Sequence, residues 1–90
     1  MTQMPTFRDG NAVAGDLAEL FGTDMTQAVG QCGSCGTRSA LAQTHAYLDS
    51  PGIVLRCPGC DSVLLRVVRA PSRNWLDTRG LAYLETPVSG

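Results

Sequence analysis

Cys32-Gly33-Ser34-Cys35-Gly36 and Cys57-Pro58-Gly59-Cys60-Asp61 are two C-x-x-C knuckles separated by 21 residues, and they hold all four cysteines of the chain. A tetrahedral Zn²⁺ bound by thiolates needs two tight turns facing each other, each offering a two-sulfur bite. The spacing therefore predicts one Zn²⁺ per chain, with Cys32, Cys35, Cys57 and Cys60 as its ligands. Gly36 permits the positive φ that aims backbone N–H groups at thiolate sulfur. Pro58 stiffens the second turn, and Asp61 stands where a glycine is expected, in a backbone region that Asp visits less readily. Four protein ligands leave no coordination position for water or substrate. The expectation is a structural site in a protein that is not an enzyme.

Outward from the knuckles the pattern alternates. Met25 to Gln31 reads as a short strand leading into the first knuckle. Between the knuckles, the alanines of Leu41 to Leu48 allow a helix, but the stretch alternates, and Asp49-Ser50-Pro51-Gly52 is a turn signal followed by Ile53-Val54-Leu55-Arg56, which predicts a hairpin. Val63-Leu64-Leu65-Arg66-Val67-Val68-Arg69 is the strongest strand, β-branched and unbroken up to Ala70-Pro71. Asn74 to Leu84, with a turn near Arg79-Gly80, predicts a further short strand and then a turn of helix or another strand. Upstream, Val13, Leu17, Leu20 and Phe21 make one apolar stripe, predicting a helix over 11–21 with Asp9 or Asn11 as its cap and Gly22 as its stop.

Together these elements predict a small α+β fold. Its centre is a zinc ribbon, a three-stranded antiparallel β-sheet wrapping the metal end, preceded by one short N-terminal helix. The helix and the Trp75–Leu84 tail would cover one face, because a bare ribbon has too little apolar surface to close a core. The domain reading is a flexible arm at 1–8, a single zinc-ribbon domain at 9–86 and a tail at 87–90.

Charge and composition bound the function. The chain has 90 residues, 43% of them hydrophobic, and a formal charge of −1. Four thiolates and a divalent ion would bring that to about −3, which argues against nucleic-acid binding by bulk charge. The longest apolar run is far short of the roughly 18 residues a membrane span requires. No signal-peptide pattern opens the chain, so the expected setting is cytoplasmic, where paired C-x-x-C motifs are metal ligands rather than disulfides. All seven basic residues are arginine. Arg56, Arg66, Arg69 and Arg73 are the candidates for a nucleic-acid face. Trp75 and Tyr83 read first as core or cover, and second as an aromatic docking surface. His45, the only histidine, reads as a strand side chain, and Asp77 with Arg79 as a local polar pair.

Two resemblances bear on these readings. Cys57-Pro58-Gly59-Cys60 resembles a knuckle of rubredoxin-type iron electron carriers, although the chain lacks their acidic, aromatic-rich composition; iron is the second metal. Asp16 to Phe21, Cys32-x-x-Cys35-Gly36, Pro51 to Cys60 and Trp75 to Leu81 resemble a group of small uncharacterised actinobacterial proteins, over roughly residues 9–85. That resemblance implies a bacterial zinc ribbon without an assigned activity. The leading expectation is a structural-zinc module for regulatory protein–protein interaction. The alternatives are a nucleic-acid-binding ribbon of transcription or translation and a rubredoxin-like iron carrier.

Overall fold

The computed structural model describes residues 8–48 and 52–86. Residues 1–7 of the arm expected at 1–8, the Asp49–Pro51 part of the turn and the tail at 87–90 lie outside them; Arg8, the last residue of that arm, is instead in a strand. Strand β1 (Arg8–Asp9) is followed by a 3-10 turn (Gly10–Val13) and helix α1 (Ala14–Phe21). Asp9 is the cap of the two candidates, accepting the Asn11 N–H at 3.2 Å. Gly22 ends the helix at φ 75°, its N–H donating to the Ala18 carbonyl. The predicted stripe faces inward. Val13 and Leu17 are buried, with Leu20 and Phe21 packed beside them.

Strand β2 (Val29–Cys32) begins later than the sequence suggests. Asp24 explains the delay. Its carboxylate accepts from both the N–H and the hydroxyl of Thr26, and the Ala28 N–H closes onto the Met25 carbonyl. Side-chain capping of this kind offers the backbone a turn in place of a ladder. Met25 is nevertheless fully buried.

Strand β3 (Arg38–Ala40) and β4 (His45–Tyr47) are divided by a second 3-10 turn at Leu41–Gln43. The Leu41 N–H bonds the Ala28 carbonyl, and the buried Thr44 hydroxyl donates back to the Leu41 carbonyl at 2.7 Å. The alternation seen over residues 41–48 is therefore a bend followed by a strand. The predicted hairpin is β4 with β5 (Gly52–Arg56), and β6 (Val63–Arg69) has the predicted bounds. Strands β7 (Asn74–Asp77) and β8 (Leu81–Glu85) complete the described chain.

The strands form two antiparallel sheets, where the sequence reading had one of three strands. One has the order β1-β4-β5-β6-β7 and the other β3-β2-β8. The bend at Leu41–Gln43 separates the β2–β3 hairpin from the β4–β5 hairpin, so each knuckle belongs to its own sheet. The tail does not lie across a face. Instead β7 extends the larger sheet beside β6, and β8 extends the smaller one beside β2. The core of Val13, Leu17, Met25, Leu41, Ala46, Ile53, Leu55, Leu64, Leu65 and Val67 includes the buried Cys32 and Cys57. The result is a zinc-ribbon-like α+β fold in which the four cysteines sit where the two sheets meet.

Candidate metal centre

The two knuckles are hairpin turns, one between β2 and β3 and the other between β5 and β6. They bring the sulfurs of Cys32, Cys35, Cys57 and Cys60 within 4.8 Å of one another. Cys32 Sγ lies 3.6 Å from Cys60 Sγ, and Cys35 Sγ lies 3.6 Å from Cys57 Sγ. A tetrahedral ion with metal–sulfur bonds of about 2.3 Å sets its sulfurs about 3.8 Å apart, whereas a disulfide requires about 2.05 Å. The spacing fits a shared ion, so the four cysteines can hold a metal.

Local hydrogen bonds build each turn in the same way. In the first, the Cys32 N–H donates to the Thr37 carbonyl and the Gly36 N–H to the Cys32 carbonyl, both at 2.9 Å. In the second, the Cys57 N–H donates to the Ser62 carbonyl at 2.8 Å and the Asp61 N–H to the Cys57 carbonyl at 2.9 Å. The Ser34 N–H points at Cys32 Sγ at 3.4 Å, and the Gly59 N–H at Cys57 Sγ at 3.3 Å. Such donors spread the negative charge of the thiolates.

A hydroxyl serves each outer sulfur. Thr37 Oγ1 is 3.1 Å from Cys35 Sγ, and Ser62 Oγ is 3.2 Å from Cys60 Sγ. Once the sulfur is a thiolate, the hydroxyl is the donor. The Thr37 side chain and then its backbone N–H hold the exposed Cys35 thiol down to about 6. Burial pushes the Cys57 thiol up. At Cys32 burial acts the same way, but the N–H groups of Cys35 and Ser34 outweigh it and the thiol is lowered.

Three contributors escaped the sequence reading. Thr37 and Ser62 each stand two residues after the second cysteine of their knuckle, a repeat visible in the chain once the knuckles are aligned. Gly80 is the third. The Gly33 N–H of the first knuckle donates to the Gly80 carbonyl at 2.9 Å. A Cβ on Gly80 would fall 1.7 Å from the carbonyl oxygen of Val63, the first residue of β6. The β7–β8 turn thus touches the first knuckle and the start of β6, which leads out of the second, at one glycine.

The structure divides the four candidate arginines. Arg69 is held against the helix, 3.1 Å from Asp16 and 3.0 Å from Glu19. Arg56 donates to the Asp61 carbonyl and stacks over the Tyr47 ring at 5.2 Å. Arg66 and Arg73 make no salt bridge among the described residues. The outer face of the larger sheet carries the row Tyr47–Val54–Arg66–Asp77, with Val68 paired to Trp75 beside it. His45 lies on that face too, opposite Arg56. Trp75 is 62% exposed and Tyr83 39%, so neither is the core residue first expected. Asp77 and Arg79 form the predicted local pair, which holds the Asp77 carboxyl down to about 2.

A model of a family of unknown function, DUF6510, matches residues 3–89, and the chain belongs to that family. Neither the curated proteins nor the solved structures contain a match to it. Among the described residues no helix is long and apolar enough to cross a membrane.

Proposed function

We propose that this DUF6510 member is a non-enzymatic, cytoplasmic binding module whose fold is closed by one structural Zn²⁺. In this reading its outer sheet face serves regulatory protein–protein contact in a bacterial, actinobacterial setting. The observation that carries the reading is the placement of the four sulfurs at the seam between two sheets. An ion there ties the sheets together, and four thiolates complete its shell. The face beyond it bears Trp75, Tyr47, Arg56 and Arg66, and aromatic residues and arginine are the types that dominate protein interfaces. A protein partner fits this face better than nucleic acid. Arg69 is already paired with Asp16 and Glu19, and Arg56 is held by the Asp61 carbonyl, which leaves few cations for phosphates.

Metal analysis of protein purified from its host, read beside the absorption spectrum, tests the first half. One colourless zinc per chain supports the reading. Iron with visible thiolate-to-metal absorption overturns it in favour of electron transfer. A pull-down compared with Trp75→Ala and Arg66→Ala tests the second half. Loss of the captured protein in both variants, with zinc content unchanged, supports it; capture of nucleic acid that falls steeply with salt overturns it.

A further inference from the structure

We infer that the free edge of β7 is a self-association surface, through which two copies of this chain join their larger sheets. Strand β7 ends the five-stranded sheet and leaves Trp75 62% and Leu76 43% exposed. These two residues project to opposite faces of the same strand. Apolar residues exposed on both faces of an edge strand are what folded proteins normally blunt with lysine, proline or a covering segment. The other sheet shows such a cover. There Arg38 reaches across β2 from β3, lies over the Tyr83 ring at 5.9 Å and pairs with Glu85. Among the described residues nothing comparable lies over Trp75.

The hydrogen-bonding register selects a second copy as the occupant. The Ala70 N–H donates to the Arg73 carbonyl at 2.9 Å, and the ladder beyond pairs Arg69 with Asn74, Val68 with Trp75, Val67 with Leu76 and Arg66 with Asp77 without a bulge. In an antiparallel ladder, hydrogen-bonded and non-hydrogen-bonded pairs alternate. Trp75 and Asp77 therefore turn their backbone groups toward β6, and Asn74 and Leu76 turn theirs to the open edge. A second β7 running antiparallel satisfies both outward residues of each strand in one register, with Asn74 opposite Leu76 and the two-fold axis at Trp75. That register sets Arg73 of each copy opposite Asp77 of the other, on the face where the two Trp75 rings meet. Opposite charges and paired aromatics are the favourable cross-strand neighbours. Arg79 shares Asp77 within the chain, so the new ion pair adds to an existing one. The contact sets the two Trp75 rings between the copies, leaves Tyr47, Arg56 and Arg66 of each proposed partner face open, and is independent of whether that face has a partner.

Sedimentation velocity of the zinc-loaded chain, across a concentration series, is the test. An edge this short supports a dissociation constant of about 10⁻⁵–10⁻⁴ M. Trp75→Lys should abolish the dimer by facing two lysines across the axis, and R73E should weaken it about tenfold. Both variants should keep wild-type zinc content and circular dichroism. Hydrogen exchange should show the Asn74 and Leu76 amides slowing as concentration rises while Trp75, already bonded to β6, does not change. A chain that stays monomeric at millimolar concentration overturns the inference, as does a dimer that Trp75→Lys leaves intact.

Discussion

The two knuckles have nearly the same geometry and little sequence in common beyond their cysteines. Each buries its first sulfur and exposes its second. Each closes the same pair of backbone hydrogen bonds, points one N–H at the inner sulfur and places one hydroxyl beside the outer one. Yet the interior residues are Gly33-Ser34 in one and Pro58-Gly59 in the other, and the left-handed position is Gly36 at φ 80° in the first and Asp61 at φ 65° in the second. The geometry thus depends on backbone donors and acceptors and on a hydroxyl two positions beyond the second cysteine. The positions outside that frame are free to differ, at a local cost that neighbours must offset.

The comparison breaks most readily at the sulfurs. If the knuckles are equal halves of one site, Cys32→Ser and Cys57→Ser should be equally damaging. Metal binding by small thiolate domains contributes on the order of 10–16 kcal/mol, whereas a domain is stable by about 5–15 kcal/mol in all. Either variant should lose the ion and with it cooperative thermal unfolding. Thermal melts of the two, read by circular dichroism with metal content measured alongside, check this. One variant melting near wild type would show that the other knuckle carries the fold alone.

Gly80 sharpens the comparison, because it is where the knuckles share a support. A methyl group there meets backbone on one side and forces the turn off Val63, disturbing the Gly33 hydrogen bond on the other. Insertion against a packed backbone costs about 1–3 kcal/mol, so Gly80→Ala should lower the melting midpoint by that equivalent while the four thiols still bind metal, more weakly. Denaturant unfolding with competitive chelation reads both effects. An unchanged metal affinity would mean that the β7–β8 turn supports the sheets but not the site.

Legibility followed chain distance. The pairing of the two knuckles, β6, the helix stripe and the helix stop at Gly22 are written in short windows, and the structure brings the four cysteines together and has the other elements where the residues imply. The division into two sheets was not legible. It depends on the Asp24–Thr26 turn and on the Leu41–Gln43 bend, where backbone groups find partners more than ten residues away, as Leu41 does at Ala28. The role of Gly80 was hidden for the same reason, since nothing near it in sequence reports that Val63 and Gly33 converge on it. Trp75 was misread because its size suggested burial, whereas its position on an edge strand leaves half of it without a neighbour.

The smallest expected effects test whether the left-handed positions are equivalent. Gly36 has open space around a would-be Cβ, so Gly36→Ala is opposed by its φ alone, a cost of roughly 1–2 kcal/mol. Asp61 already bears part of that cost, less than alanine would because a short polar side chain tolerates the region better. What offsets it is Arg56, whose guanidinium donates to the Asp61 carbonyl at 3.0 Å and lies 3.9 Å from its carboxylate. The first contact is to backbone and survives in Asp61→Gly. The second is a loose pair with the Asp61 side chain 62% exposed, and such pairs contribute little. Asp61→Gly should therefore stabilise the domain by about 0.5–1 kcal/mol once the added unfolded-state freedom of glycine is set against the relief of strain. Denaturant midpoints of the two variants should move in opposite directions. A destabilised Asp61→Gly would show that the carboxylate, and not the carbonyl, is what Arg56 holds, and the knuckles would then differ in mechanism as well as in sequence.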